Sequence, residues 1–173
     1  MVKYKNDDAR LLASLIHRLD DLVFSRENFP ITTIDTDGYY LDERKKKYKC
    51  FLASYTPPPT ETYRVYRSAV NKRNHFIESL VGLAAHEVRH RMQKLRKDEI
   101  SFTLQEKMKK LKPGFFVYAR YVLCVLNNWL NVLWSYKWNE RFSEMDTFFI
   151  QYLAERDYKK HHNLRRIAKI VQL

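Results

Sequence analysis

From Ser79 to Gln93 the chain is an apolar run with one glycine and no proline, and it carries His86-Glu87-Val88-Arg89-His90 near its end. A stretch of this kind predicts a helix, and residues four apart on a helix lie one above the other on the same face. His86 and His90 then point the same way, with ring nitrogens able to meet on one tetrahedral zinc ion. Glu87 falls beside such an ion rather than on it, where it can take a proton from a water that the ion polarises. Composition alone would produce His-Glu-x-x-His in roughly one chain in a hundred of this make-up, so the spacing is a hint that needs context. Leu80, Val81, Leu83, Ala84 and Ala85 supply it, because two histidines and a glutamate on a buried helix need polar partners. The competing reading is a pair of satisfied core histidines on an ordinary helix.

A catalytic zinc keeps three protein ligands and leaves the fourth place to water, so a third ligand must come from elsewhere. The metzincin continuation is excluded, since Gln93 and Arg96 stand where its glycine and third histidine would be. Trp138 to Leu153 reads as an amphipathic helix rich in carboxylates, with Glu140 and Glu144 one turn apart on one face and Asp146 nearby. Acids are favoured near a helix N-terminus in any case, and a solvated face is the plainer explanation of all three.

The longer pattern, His86-Glu87-x-Arg89-His90-x-x-Gln93, resembles the compact zincin-type, gluzincin-like metallopeptidases of phage and bacterial genomes. Those enzymes carry something like Pro-x-Glu-x-Glu-Ala downstream. Residues Phe142 to Thr147 match it with Phe142 for the proline, Asp146 for the second glutamate and Thr147 for the alanine. The resemblance implies a minimal zincin-like domain that cleaves protein or peptide substrates. It implies Zn2+ held by His86, His90 and Glu144, Glu87 as the catalytic base, and Asp146, Arg89 and Gln93 in supporting places around the ligands. The three departures leave Glu140 open as an alternative to Glu144. In zincins the strand nearest the active-site helix is an edge strand on which a peptide can pair, and Thr62 to Ser68 would be that strand here.

The remainder predicts one α+β domain over residues 1–173, a small mostly antiparallel sheet packed against the motif helix and further helices. Asp7 and Asp8 can cap an amphipathic helix through Leu12, Leu15, Ile16, Leu19, Leu22 and Val23, with His17 on its surface. Ile31 to Leu41 suggests a hairpin about Asp37-Gly38, and Lys47 to Tyr55 a further strand. Asn71 or Asn74 is placed to cap the motif helix, which should run to about Lys97 with cations suited to its C-terminal end. Ser101 to Glu106 offers a capping box for a short basic helix ending at Pro113-Gly114.

Phe115 to Trp138 is apolar enough to raise a membrane span. Arg120, Asn127, Asn128 and Asn131 interrupt it, and a helix buried in the domain is the better expectation. The tail from about 158 to 173 reads as a basic surface helix, on which adjacent His161 and His162 diverge too far to share an ion. The start of the chain has no apolar core of a secretory signal, and Cys50 and Cys124 sit in apolar surroundings. Both features suggest an intracellular, reducing location.

Three functions compete. The first is a zinc metallopeptidase. The formal charge of +12 brings in the second, a nucleic-acid-associated protein, either a DNA-binding module or a protease that acts on DNA-bound proteins, as SprT-like proteases do. The third is an inactive zincin used as an interaction module.

Overall fold

The structure is a computed structural model that describes residues 7–24, 30–35, 39–42, 47–50, 52–71, 75–95 and 138–173, with side chains throughout these ranges except at 39–42, 47–50 and 138–142. It is α+β. The described residues form five helices, a three-stranded mixed sheet and a separate two-stranded ladder. The basic helix before Pro113-Gly114 and the apolar stretch from 115 to 137 lie outside the described residues. Among those described, no helix is long and apolar enough to cross a membrane.

Helix α1 (Asp8–Phe24) buries Leu12, Leu15, Ile16, Leu19 and Val23 of the predicted stripe, while Leu22 of that stripe and His17 are exposed. Asp7 caps it, accepting from the Arg10 N–H at 3.3 Å. The other expected caps are exchanged between chain segments. Asn71, placed by sequence at the start of the motif helix, accepts instead from the Ala9 N–H of α1 at 2.9 Å. Asp8 in turn accepts from the His75 N–H, just ahead of the motif helix, at 3.2 Å. Each side chain thus satisfies an amide of the other segment, which pins the two helix starts together.

Strands β1 (Ile31–Asp35), β4 (Ala53–Thr56) and β5 (Thr62–Tyr66) form the sheet in the order β1-β5-β4, with β1 parallel and β4 antiparallel to the central β5. Strands β2 (Tyr39–Asp42) and β3 (Lys47–Cys50) form the antiparallel ladder. Two of the three pairings are therefore antiparallel, while two local expectations fail. β1 pairs with β5 rather than folding back on β2, and Lys47 to Tyr55 is divided at Leu52 between two sheets. Burial explains the choice. Pairing with β5 sets Ile34 level with Val65 and Ala53, a single apolar row over the helices. The strand at 62–66 is central, so the edge nearest the motif helix is β4.

A short helix α2 (Arg67–Val70) leads to α3 (Ile77–Leu95), which carries the motif. Helix α4 (Trp138–His161) lies antiparallel to it, Ser143 and Asp146 meeting Gln93 and Arg89 at one end and Glu155 meeting Gly82 at the other. The expected tail helix is broken. His162 takes a left-handed φ of 49°, Asn163 caps the next turn by accepting from the Arg165 N–H at 2.9 Å, and α5 (Leu164–Val171) begins. Its Ile167, Ala168 and Val171 are buried against the core, and only the opposite face is basic and exposed.

Candidate metal centre

Helix α3 is buried over most of its length, with Gly82, Ala84 and Ala85 letting its neighbours approach closely. Within it the four-residue spacing works as predicted. The Nε2 atoms of His86 and His90 are 3.1 Å apart, and the two rings meet edge to face. Glu144 comes in from α4, with one carboxylate oxygen 3.5 Å from His90 Nε2 and the other 3.7 Å from His86 Nε2. Tetrahedral donors on a zinc at ordinary bond lengths stand about 3.3 Å from one another, so the 3.1 Å between the ring nitrogens suits such an ion, with a carboxylate oxygen within reach of each ring. Among the described residues, His86, His90 and Glu144 are the one group of three acids, histidines or cysteines that can hold a metal ion.

The electrostatics agree with the distances. Burial lowers the proton affinity of both imidazoles, His86 well below its ordinary value and His90 to a pKa of about 4. Both are therefore neutral at physiological pH, the form that offers a lone pair to a metal. Phe148 packs edge-on against His86 at 4.9 Å between centroids and limits the ring's freedom.

Glu87 is only 3% exposed and lies outside the triangle. Burial, and then the nearby charge of Glu144, push its pKa up to about 8, opposed by the Tyr55 backbone N–H of β4. Its Oε2 is buried with no hydrogen-bond partner among the described residues. A carboxyl raised this far is largely protonated near neutral pH, and a cation close by would favour its charged form.

Arg89, Gln93 and Asp146 converge on the backbone around Glu144. Arg89 Nε donates to Asp146 Oδ2 at 2.6 Å, and Gln93 Nε2 donates to the same oxygen at 2.8 Å and to the Ser143 carbonyl at 3.0 Å. Ser143 returns its hydroxyl to Gln93 Oε1, and Thr147 donates to the Glu144 carbonyl at 2.8 Å. Arg89 also donates to the Val171 carbonyl of α5 at 2.7 Å. These bonds hold the α4 turn that presents Glu144. Glu140 lies one turn earlier on the same helix, and its side chain is outside the described ones.

No protein-family model matches this chain, and comparison with curated proteins and with solved structures finds no match either. The site therefore stands on its own geometry.

Other functional neighbours escaped the sequence reading. Arg91 looked like a cation suited to a helix end. It is buried, donating to Asp20 of α1 at 2.7 Å and to Glu61 ahead of β5 at 2.7 Å. Tyr63 donates to Asp20, and Tyr55 donates to Glu61, each at 2.6 Å. Because Tyr55 also gives its N–H to Glu87, this network places the strand that flanks Glu87. Glu155 fills the space left by Gly82, one turn before His86, and accepts from Gln151 at 3.0 Å; that glycine was the available signal for both. His161 and His162 stay outside the site, the first beside Asp157 at 3.8 Å and the second against the Tyr158 ring.

Proposed function

We propose that this chain is a zinc-dependent metallohydrolase that cleaves peptide bonds, with zinc held by His86, His90 and Glu144. The observation that carries the reading is the convergence of two neutral imidazoles and one carboxylate, the ring nitrogens 3.1 Å apart and the two carboxylate oxygens 3.5 Å from His90 and 3.7 Å from His86. Two histidines and a glutamate are a donor set used by catalytic zinc, which keeps one position for water. Zinc in such a site supplies Lewis acidity and brings the pKa of water down to about 7. Glu87 accepts a proton from the attacking water and returns it to the leaving amine. Its buried position beside the triangle supports that assignment.

The test is metal content and proteolysis of the purified chain. One zinc per chain is expected, lost in both His86→Ala and His90→Ala, together with cleavage of an unfolded protein substrate. Zinc content unchanged in both variants would remove the reading.

A second activity is compatible with the first. Lys159, Lys160, Arg165 and Lys169 are all exposed around the corner between α4 and α5. They support affinity for a polyanion such as nucleic acid, held through its phosphates.

A further inference from the structure

Gly82, His86 and His90 repeat every four residues along one face of α3. Glu144, Phe148, Gln151 and Glu155 keep the matching spacing on α4. Contacts of Glu144 and Phe148 with the histidines, and of Glu155 with Gly82, show that these two faces meet in one seam. Glu144 serves the histidines at one end. Glu155 enters at Gly82, one turn of α3 and about 6 Å along its axis from His86. It can do so because Gly82 has no side chain: a β-carbon there would overlap Glu155 from Cγ to the carboxyl group. Glycine inside a helix is unfavourable relative to alanine, so the position needs a packing reason, and a carboxylate held in this place is one.

The carboxylate is oriented but not neutralised. Gln151 Nε2 donates to its Oε1 at 3.0 Å. Asp20 and Glu61 are paired with Arg91, Asp146 with Arg89 and Asp157 with Arg166. Among the described residues no cation pairs with Glu155, and the charge that acts on it is that of Glu78, of the same sign. Burial above all, helped by Glu78, holds its carboxyl above the ordinary value against the hydrogen bond from Gln151. The side chain is half-buried, so a group from outside can still reach it. A cation brought there would favour the charged form.

We infer that Glu155 is a specificity-determining residue that receives the ammonium of a lysine or the guanidinium of an arginine carried by the substrate. The inference rests on the peptidase reading of the site. An extended peptide advances about 3.3 Å per residue, so a charge about 6 Å along the seam from His86 belongs within roughly two residues of the bond that is cut. The chain carries a formal charge of +12 and as a whole repels a basic peptide. A preference for one therefore has a local origin, and this carboxylate supplies it.

Two measurements on the whole chain test the assignment. The zinc-loaded chain is offered an N-acetylated peptide library, and the cleavage sites are mapped. Wild type should favour lysine or arginine over norleucine at one position within two residues of the cut, by about 10–100-fold in kcat/KM, the range of a charge-assisted hydrogen bond. Glu155→Gln keeps the shape and still accepts from Gln151. It should lose the preference while keeping its zinc and its cleavage of the norleucine peptides. If Glu155→Gln does not fold, Glu155→Asp, which withdraws the charge by one methylene, should reduce the preference and serves in its place. The second measurement is binding to the metal-free chain, read by fluorescence anisotropy with a labelled lysine peptide and its norleucine twin. The lysine peptide should bind more tightly to wild type and no more tightly to Glu155→Gln. No basic preference in wild type, or one that survives Glu155→Gln, overturns the inference. So does a preference seen only with a free peptide N-terminus, which would transfer the cation to the α-amino group. A chain that takes up no zinc and cleaves nothing overturns the peptidase reading instead, and the metal-free pair still decides whether Glu155 receives a cation.

Discussion

Arg89 and Asp146 meet at 2.6 Å with side chains that are each 1% exposed, a buried ion pair between the motif helix and the helix that brings Glu144. Arg89 is one residue from His90, and Asp146 is two from Glu144. The pair therefore sets the separation of the ligands as well as the packing of the helices. Removing the acid leaves the arginine charge in the interior without its nearest counter-charge. Asp146→Ala should cost about 3–5 kcal/mol of stability in urea unfolding. At concentrations where the variant remains folded, its zinc affinity should also be lower than wild type. An unchanged unfolding midpoint would show that the pair contributes nothing.

Chemistry and metal binding should separate at Glu87. Glu87→Gln keeps the shape and the ability to hydrogen-bond water but cannot accept a proton. Zinc content should stay at the wild-type level while cleavage falls about 10²–10⁴-fold. Undiminished turnover in this variant would mean that another group is the base.

The two glutamates of α4 can be told apart by metal analysis. Glu144→Ala should release zinc or bind it far more weakly, whereas Glu140→Ala should keep it. The opposite result would transfer the third ligand to Glu140, the alternative left open by the sequence.

A pH-dependent latch joins α4 to α5. Asp157 accepts from Arg166 at 2.9 and 2.8 Å, and these hydrogen bonds, ahead of the opposing effect of burial, hold its carboxyl below the ordinary value. A depressed folded pKa stabilises the protein above the unfolded value and is lost as pH falls through the folded one. The stability difference between wild type and Asp157→Asn should thus be constant above about pH 5, begin to shrink near pH 4 and be lost only below the depressed folded value. Urea unfolding across that range measures it, and a difference that does not shrink as the pH falls below about 4 would assign the contact to packing.

The basic corner makes its own prediction. Changing Lys159, Lys160 and Lys169 together to glutamate should weaken low-salt binding to duplex DNA. It should also flatten the dependence on salt, because each phosphate contact contributes roughly −0.9 to the slope of log K against log salt. Equal binding by the variant and wild type would place any DNA contact elsewhere.

The features that the sequence disclosed are those written in one segment. His86, Glu87 and His90 are adjacent on one helix, and the α1 stripe repeats with the helical period, so local rules suffice. Glu144 was accessible because its own turn resembles a known pattern. The features that escaped depend on partners far along the chain. Arg91 obeys the rule for a helix C-terminus, yet its acids are 71 and 30 residues away. Arg89 and Arg91 are two positions apart, so they leave α3 on nearly opposite sides and find different partners. The turn signal at Asp37-Gly38 is likewise local, while the pairing of β1 is decided by the apolar row that β5 supplies.

The bond from Arg89 to the Val171 carbonyl spans 82 residues. During synthesis, at about 5–20 residues per second, Val171 follows Arg89 by roughly 4–16 s. Throughout that interval the nascent chain already holds both histidines and the base, but neither Glu144's turn nor the helix that closes beneath it has its final support. The group that could hold a metal ion is thus brought together only as the fold is completed, and a ribosome stalled between α3 and α5 would carry its two histidines without their carboxylate in place.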